Sequence, residues 1–142
     1  MNLKDPIHTE VTIQASTAQT WECYTSPDHI TRWNFASEDW CCPSAQSELR
    51  SGGRFSSRME ARDGSMGFDF GGEYNEIEPL KHIAYTMDDG RGAVVSFEPA
   101  DNGTRVTVDF EAEGQNPREL QQGGWQAILN NFKKHTEATA AQ

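Results

Sequence analysis

Five side chains have types suited to general acid–base chemistry on a bound molecule: Arg32, Glu60, Asp69, Tyr74 and Tyr85. Only Tyr85 is placed by its spacing on the apolar side of an alternating strand. Asp69 alternates with Phe68 and Phe70, so we expect its carboxylate to face solvent. The phenol of Tyr85 would donate a hydrogen bond either to a ligand carbonyl or to the backbone, and the sequence leaves both roles open.

The sequence has no signature of a nucleophile, a metal site or a bound cofactor. It contains no nucleophile elbow, phosphate loop or paired carboxylates. The four histidines are scattered without an i, i+4 pair, and adjacent cysteines such as Cys41 and Cys42 rarely form a disulfide without strain. We therefore predict no catalytic residue, no metal, no cofactor and reduced thiols.

The elements that must position these residues follow from hydrophobic periodicity. Alternation over residues 7–13 predicts a strand, and Ser16 and Pro27 mark the starts of two short helices. Residues 34–46 keep no period, which indicates an ordered loop rich in aromatic side chains. Alternating segments cut by turn signals then fill residues 47–113 and predict about six antiparallel strands.

The C-terminal part of the sequence predicts one long amphipathic helix after Asn116-Pro117. Its tail, residues 136–142, has no apolar face and is expected to fray. Within the strand region, Gly71-Gly72 predicts a bulge or a sharp bend, and the direction of Tyr74 depends on the bulge. Together the elements predict an α+β helix-grip fold, in which a curved antiparallel sheet of about seven strands wraps around the C-terminal helix.

A curved sheet and a single helix need not meet completely, so their apolar faces predict a cavity as well as a core. Gly124, inside the helix, either lets the helix approach the sheet or opens space over this cavity. The candidate lining residues are Trp33, Trp40, Phe55, Met59, Met66, Phe68, Phe70, Tyr74, Tyr85, Phe97, Gly124, Trp125 and Ile128.

Length and charge narrow the class of protein. The chain has 142 residues, which fits a single domain over residues 1–142. Its formal net charge of −10 disfavours nucleic acid and anionic membranes as partners. No secretory signal or membrane-spanning run is apparent, so we expect a cytoplasmic location.

Several stretches together resemble the START-like, polyketide-cyclase-like (SRPBCC) superfamily, in its branch of activator-of-heat-shock-protein-ATPase homologues, the AHSA-like proteins. They are TSPDHITRWNFASEDW, ELRSGGRF, RMEARDGSMGFDFGGEY, DDGR and GGWQAILNNF, and the resemblance extends from about Val11 to about Glu137. It implies a deep cavity between sheet and helix, which in relatives holds lipids, sterols, polyketides or other apolar molecules.

Three functions therefore remain open from the sequence. The favoured one is binding of an apolar small molecule in the cavity. The alternatives are a protein-interaction module that stimulates a chaperone ATPase in a stress response, and a weak cyclase or hydrolase that uses the same cavity. An exposed strand edge also leaves a homodimer open.

Overall fold

The order of helices and strands is that of a helix-grip protein. A computed structural model describes residues 1–141, and Gln142 lies outside the described residues. The elements are β1 (Ile7–Ile13), α1 (Thr17–Thr25), α2 (Pro27–Ile30), β2 (Trp40–Ser47), β3 (Arg54–Ala61), β4 (Gly67–Glu78), β5 (His82–Met87), β6 (Gly92–Ala100), β7 (Gly103–Phe110) and α3 (Arg118–Ala140). No helix in this part of the chain is long and apolar enough to cross a membrane.

The seven strands form one antiparallel sheet in the order β1-β7-β6-β5-β4-β3-β2. Strands β2 to β7 follow one another as neighbours, and β1 joins the far edge beside β7. The sheet curls into a half-barrel with α3 on its concave side. The predicted α+β helix-grip fold is thus confirmed.

The concave face of the sheet carries the alternating apolar side chains. In β1, Ile7, Val11 and Ile13 are buried, and Val11 lies opposite Val106 of β7. Thr9 is also buried there. Its hydroxyl has a partner, since it donates to the carbonyl oxygen of Val108 at 2.9 Å. The period of two in these strands therefore correctly predicted which side chains face the core.

Helix α3 lies along the β1 edge of the sheet. The side-chain amide of Gln122 donates to the carbonyl oxygen of His8 at 3.1 Å, and that of Gln126 donates to the carbonyl oxygen of Glu10 at 3.0 Å. These bonds satisfy backbone acceptors that an edge strand would otherwise leave to solvent. The helix is thereby fixed to one side of the half-barrel.

The predicted starts of the two short helices are confirmed. The hydroxyl of Ser16 accepts a hydrogen bond from the backbone N–H of Gln19 at 3.1 Å, as expected for an N-cap. Pro27 occupies the first turn of α2, where its missing N–H leaves no bond unmade.

The expected bulge at Gly71-Gly72 is wrong. Pairing between β3 and β4 is regular through both glycines, and the register shift lies between Tyr74 and Glu76 in the pairing of β4 with β5. Gly72 instead allows close packing, since a Cβ there would lie 2.3 Å from the carbonyl oxygen of Thr86. Tyr74 consequently points to the concave side and is buried.

Two further expectations differ from the structure. The predicted loop of residues 34–46 contains most of β2, whose pairing with β3 is interrupted between Cys41 and Ser44. This break hides the strand period. The tail expected to fray continues as helix through Ala140, because Thr136 is fully buried and Glu137 accepts a hydrogen bond from the Gln14 backbone N–H.

Candidate functional site

A cavity of about 310 Å³ lies between the concave face of the sheet and α3. Most of its lining is aliphatic or aromatic. The lining residues are Tyr24, Thr25, Ile30, Trp33, Asn34, Phe55, Ser57, Met59, Phe68, Phe70, Tyr74, Ile83, Tyr85, Arg91, Val108, Trp125, Ile128 and Leu129. The helix contributes Trp125, Ile128 and Leu129, whose spacing of three and four residues places them on one side.

An aromatic cluster centred on Phe55 forms the sheet side of the cavity. The Phe55 ring lies 5.0 Å from the rings of Tyr74 and Tyr85 and 6.0 Å from that of Phe70, measured between centroids. Such tilted contacts are the preferred geometry of aromatic pairs. The cluster therefore makes a rigid apolar wall.

Trp33 and Tyr24 are the aromatic residues that the region of the short helices contributes to the lining. The Trp33 indole N–H donates to the carbonyl oxygen of Cys23 at 2.8 Å, and its ring lies 4.9 Å from that of Phe132. Tyr24 contacts the same Phe132 ring edge-on at 5.1 Å. Trp33 thus both packs in the core and contributes to the cavity wall.

Phenol groups give the apolar cavity a few polar contacts. Burial raises the pKa of Tyr24 and of Tyr85, so both remain protonated donors at neutral pH. The Tyr74 hydroxyl already pairs with the Ser47 hydroxyl at 2.8 Å. Among the phenols of the described chain that line the cavity, Tyr24 and Tyr85 are therefore the ones left to meet a ligand.

Arg91 adds one positive charge to the lining. It follows the β5–β6 turn, and its side chain is held by Asp89 at 2.8 Å and by the carbonyl oxygen of Glu111 at 3.2 Å. Its Coulombic effect on Tyr85 opposes the burial that raises the pKa of that phenol. The guanidinium and the phenol both line the cavity.

Nine of the thirteen residues predicted to line a cavity lie on this wall. They are Trp33, Phe55, Met59, Phe68, Phe70, Tyr74, Tyr85, Trp125 and Ile128. Phe68 is 50% exposed, which places it at the rim.

Two of the other four predicted residues lie near the hairpin of β3 and β4. Met66 precedes β4 and is 65% exposed, because its backbone closes the hairpin to Ala61 beyond the edge of the cavity. Trp40 begins β2 and contacts the Phe68 ring at 6.0 Å without reaching the lining.

The remaining two lie in the core and on α3. Phe97 faces inward but is covered by Trp21 and Tyr24, whose rings lie 5.1 and 5.6 Å away. Gly124 is absent from the lining, and a Cβ there would meet nothing within 4 Å. Close approach of helix and sheet therefore does not explain this glycine.

The residues that the sequence did not single out fall into two groups. The first group lies on predicted inner faces, so alternation or helical spacing was the signal available for finding it. Its members are Ser57, Ile83, Val108 and Leu129. The second group reaches the cavity only through tertiary packing, for which the sequence offers no local signal. Its members are Tyr24, Thr25, Ile30, Asn34 and Arg91.

Two of the acid–base candidates outside the cavity, Glu60 and Asp69, pair with Arg58 on the convex face. Arg58 contacts the carboxylates of Glu60 at 3.0 Å and Asp69 at 3.5 Å. Asp69 faces solvent as its alternation predicted. A carboxylate in this setting is solvated and has no access to a molecule in the cavity.

The curled sheet, the long helix and the apolar space between them define a START-like helix-grip protein. The family model described as "Activator of Hsp90 ATPase homolog 1-like protein" matches residues 14–137. The chain therefore belongs to this AHSA1-like family. Among proteins with curated functions, none matches the sequence.

Solved structures agree with this assignment. The AHSA1-like protein from Aeromonas hydrophila is 40% identical with a TM-score of 0.91, over 96% of this chain and 95% of that one. Chr148 from Cytophaga hutchinsonii is 43% identical with a TM-score of 0.81, over 98% and 96%. Protein NE0264 from Nitrosomonas europaea is 18% identical with a TM-score of 0.82, over 96% and 97%, and indicates the fold alone.

Proposed function

We propose that this protein binds an apolar small molecule, such as a lipid-like, polyketide-like or aromatic compound, in the cavity between the sheet and α3. The observation that carries the proposal is the open space itself, about 310 Å³ beneath a helix that would otherwise pack on the sheet. Its volume is at the lower end of the range of about 300–1,000 Å³ that small-molecule sites occupy.

The chemistry of the wall supports an apolar ligand with one polar end. Aromatic rings such as Phe55, Phe70 and Trp125 offer flat surfaces that stack on rings or alkyl chains. The Tyr85 phenol and the Arg91 guanidinium are donors suited to a carbonyl, phenol or carboxylate oxygen. A few polar contacts in an apolar pocket are the usual means of fixing a ligand's orientation.

Native mass spectrometry tests the proposal directly. The purified protein is incubated with medium-chain fatty acids, flavonoids and polyketide-like aromatic ketones, and complexes of one ligand per chain are expected. A saturable one-to-one complex supports binding, whereas no complex with any class in the panel overturns the proposal. A ligand recovered with altered mass would additionally reveal the cyclase or hydrolase alternative.

A second candidate is a co-chaperone-like module that stimulates a chaperone ATPase. The family description and the net charge of −10, which would suit a basic partner surface, favour it. Addition of the protein to the purified chaperone should then raise the ATPase rate, and salt should weaken the effect. An unchanged rate at low salt would reject this candidate.

A further inference from the structure

Three side chains able to bind a metal meet where α1, α2 and α3 come together. Cys23, His29 and His135 each offer one ligand atom, and these atoms all lie within 4.8 Å of one another. The Nδ1 atom of His29 is 2.9 Å from the Nε2 atom of His135. The sequence suggested no metal site, because these residues come from separate helices and follow no ligand spacing.

The surroundings hold this cluster in place. Cys23 is 1% exposed, and its carbonyl oxygen accepts the indole N–H of Trp33. The side-chain amide of Asn131 in turn donates to the Trp33 carbonyl oxygen at 2.9 Å, which ties α3 to the same point. The geometry is therefore built by packing that does not involve the ligand atoms.

A second observation concerns Thr136, the residue after His135. Its hydroxyl is fully buried, has no hydrogen-bond partner and lies near the Cys23 thiol. A buried hydroxyl without a partner carries a free-energy cost. The Thr136 hydroxyl is therefore a buried donor next to the cluster, of the kind that supports a metal-bound cysteine.

We propose that Cys23, His29 and His135 bind one Zn²⁺ ion through one thiolate and two imidazole nitrogens. The Cys23 proton leaves to solvent, and the proton held between His29 Nδ1 and His135 Nε2 moves to the other nitrogen of its own ring. Two Zn–N bonds of about 2.0–2.1 Å and one Zn–S bond of about 2.3 Å then replace the contact between the rings. Both histidines are only half-buried, so water takes the fourth position. Mixed sulfur and nitrogen ligands select Zn²⁺ over Mg²⁺ or Ca²⁺.

The charges around the site are mixed. Arg32 lies near His135 and disfavours a cation, while Glu22 lies near Cys23 and favours one. Another group, Glu76, Glu78 and His82, is also close enough to share a metal, but it lies on the surface and lacks a thiol. That group provides a matched control.

The experiment is a titration of chelator-treated protein with Co²⁺, followed by displacement with Zn²⁺. We expect one ion per chain, a thiolate-to-cobalt charge-transfer absorption, and a Zn²⁺ Kd below about 1 µM. Cys23→Ser should remove the absorption, and His29→Gln should weaken binding at least about 10-fold. Cys42→Ser and His82→Gln, which change a buried thiol and a half-buried histidine outside the cluster, should bind as the wild type does.

The proposal is overturned if the wild type shows no charge-transfer absorption, or if His29→Gln and His135→Gln both bind Co²⁺ with the affinity of the wild type. Loss of the signal in Cys42→Ser or His82→Gln would also contradict it. Circular dichroism checks that each variant is folded, and the half-exposed His29 carries the test if Cys23→Ser does not fold. None of the three ligands lines the cavity, so this outcome is independent of apolar ligand binding.

Discussion

The Trp125 indole stacks on the Phe110 ring, with centroids 3.9 Å apart and ring planes 10° apart. The same indole meets Phe70 edge-on at 6.1 Å. The helix therefore stacks closely on the sheet at Phe110, whereas its contact with Phe70 is an edge-on one beside the cavity. This stacking and the hydrogen bonds of Gln122 and Gln126 to β1 hold α3 in place while a cavity remains next to it.

A double-mutant cycle tests this contact. Phe110→Leu and Trp125→Leu should each destabilise the protein, and their coupling energy in chemical denaturation should be about 1 kcal/mol, as for other aromatic pairs. Phe110→Leu combined with Trp40→Leu, at the opposite end of the sheet, serves as the control and should be additive. Additivity in the Phe110–Trp125 pair would show that the stacking does not secure the helix.

Filling the cavity should abolish binding without unfolding the protein. Ser57 lies on the inner face of β3 and lines the cavity, so Ser57→Leu places a larger apolar group in the space. We expect ligand affinity to fall at least about 10-fold by calorimetry, with the melting temperature kept or raised. Ser56→Leu, on the opposite face, should bind normally, and equal binding by both variants would refute the assigned site.

Substitutions of Tyr85 and Tyr74 should distinguish a phenol that orients the ligand from one that stabilises the fold. Tyr85→Phe removes a donor from the cavity and should weaken ligands with a carbonyl or carboxylate by about 1 kcal/mol, while hydrocarbon-like ligands are unaffected. Tyr74→Phe breaks the bond to Ser47 and should lower stability instead. Affinities measured for pairs of ligands that differ only in the polar group test this role of Tyr85. A uniform loss for both kinds of ligand would contradict a hydrogen-bonding role for Tyr85.

The charged residues around His8 predict a pH dependence of stability. Hydrogen bonds to Glu10 and then to Asp109 raise the pKa of His8 in the folded state. This stabilisation is full below the unfolded pKa of about 6.5 and is lost as pH rises through the higher folded pKa. His8→Gln should therefore lower the free energy of unfolding, measured by urea denaturation, more at pH 5.5 than at pH 8.5. The difference should be less than about 1 kcal/mol because the groups are exposed.

The control for this prediction removes the two hydrogen-bond partners of His8. In a Glu10→Gln, Asp109→Asn background, His8→Gln should have nearly the same effect at both pH values. A pH dependence that persists there would assign it to other groups.

The sequence predicted the fold well because periodicity reports local geometry. Alternation in β1 and β7 correctly identified the inner faces that bring Val11 opposite Val106. It missed β2, because the register break between Cys41 and Ser44 interrupts the pattern. Helical spacing likewise did not reveal how far α3 extends, since Thr136 is buried by tertiary contacts rather than by an apolar side chain.

The cavity lining was predictable only where it coincides with these faces. Phe55, Met59 and Phe70 follow from the strand period, whereas Phe97 shares that period and is nevertheless covered by α1. Arg91 reaches the cavity from a turn, which no period describes. Distinguishing wall from core therefore requires knowledge of where the helices lie.

The most direct test of ligand binding uses the indole N–H resonances of the four tryptophans in a two-dimensional NMR titration. Trp33 and Trp125 line the cavity, whereas Trp21 and Trp40 lie outside its lining and serve as internal controls. A ligand from the mass-spectrometry panel should shift the Trp33 and Trp125 signals saturably and leave the other two in place. Shifts confined to Trp21 or Trp40, or no shift with any ligand, would contradict binding in this cavity.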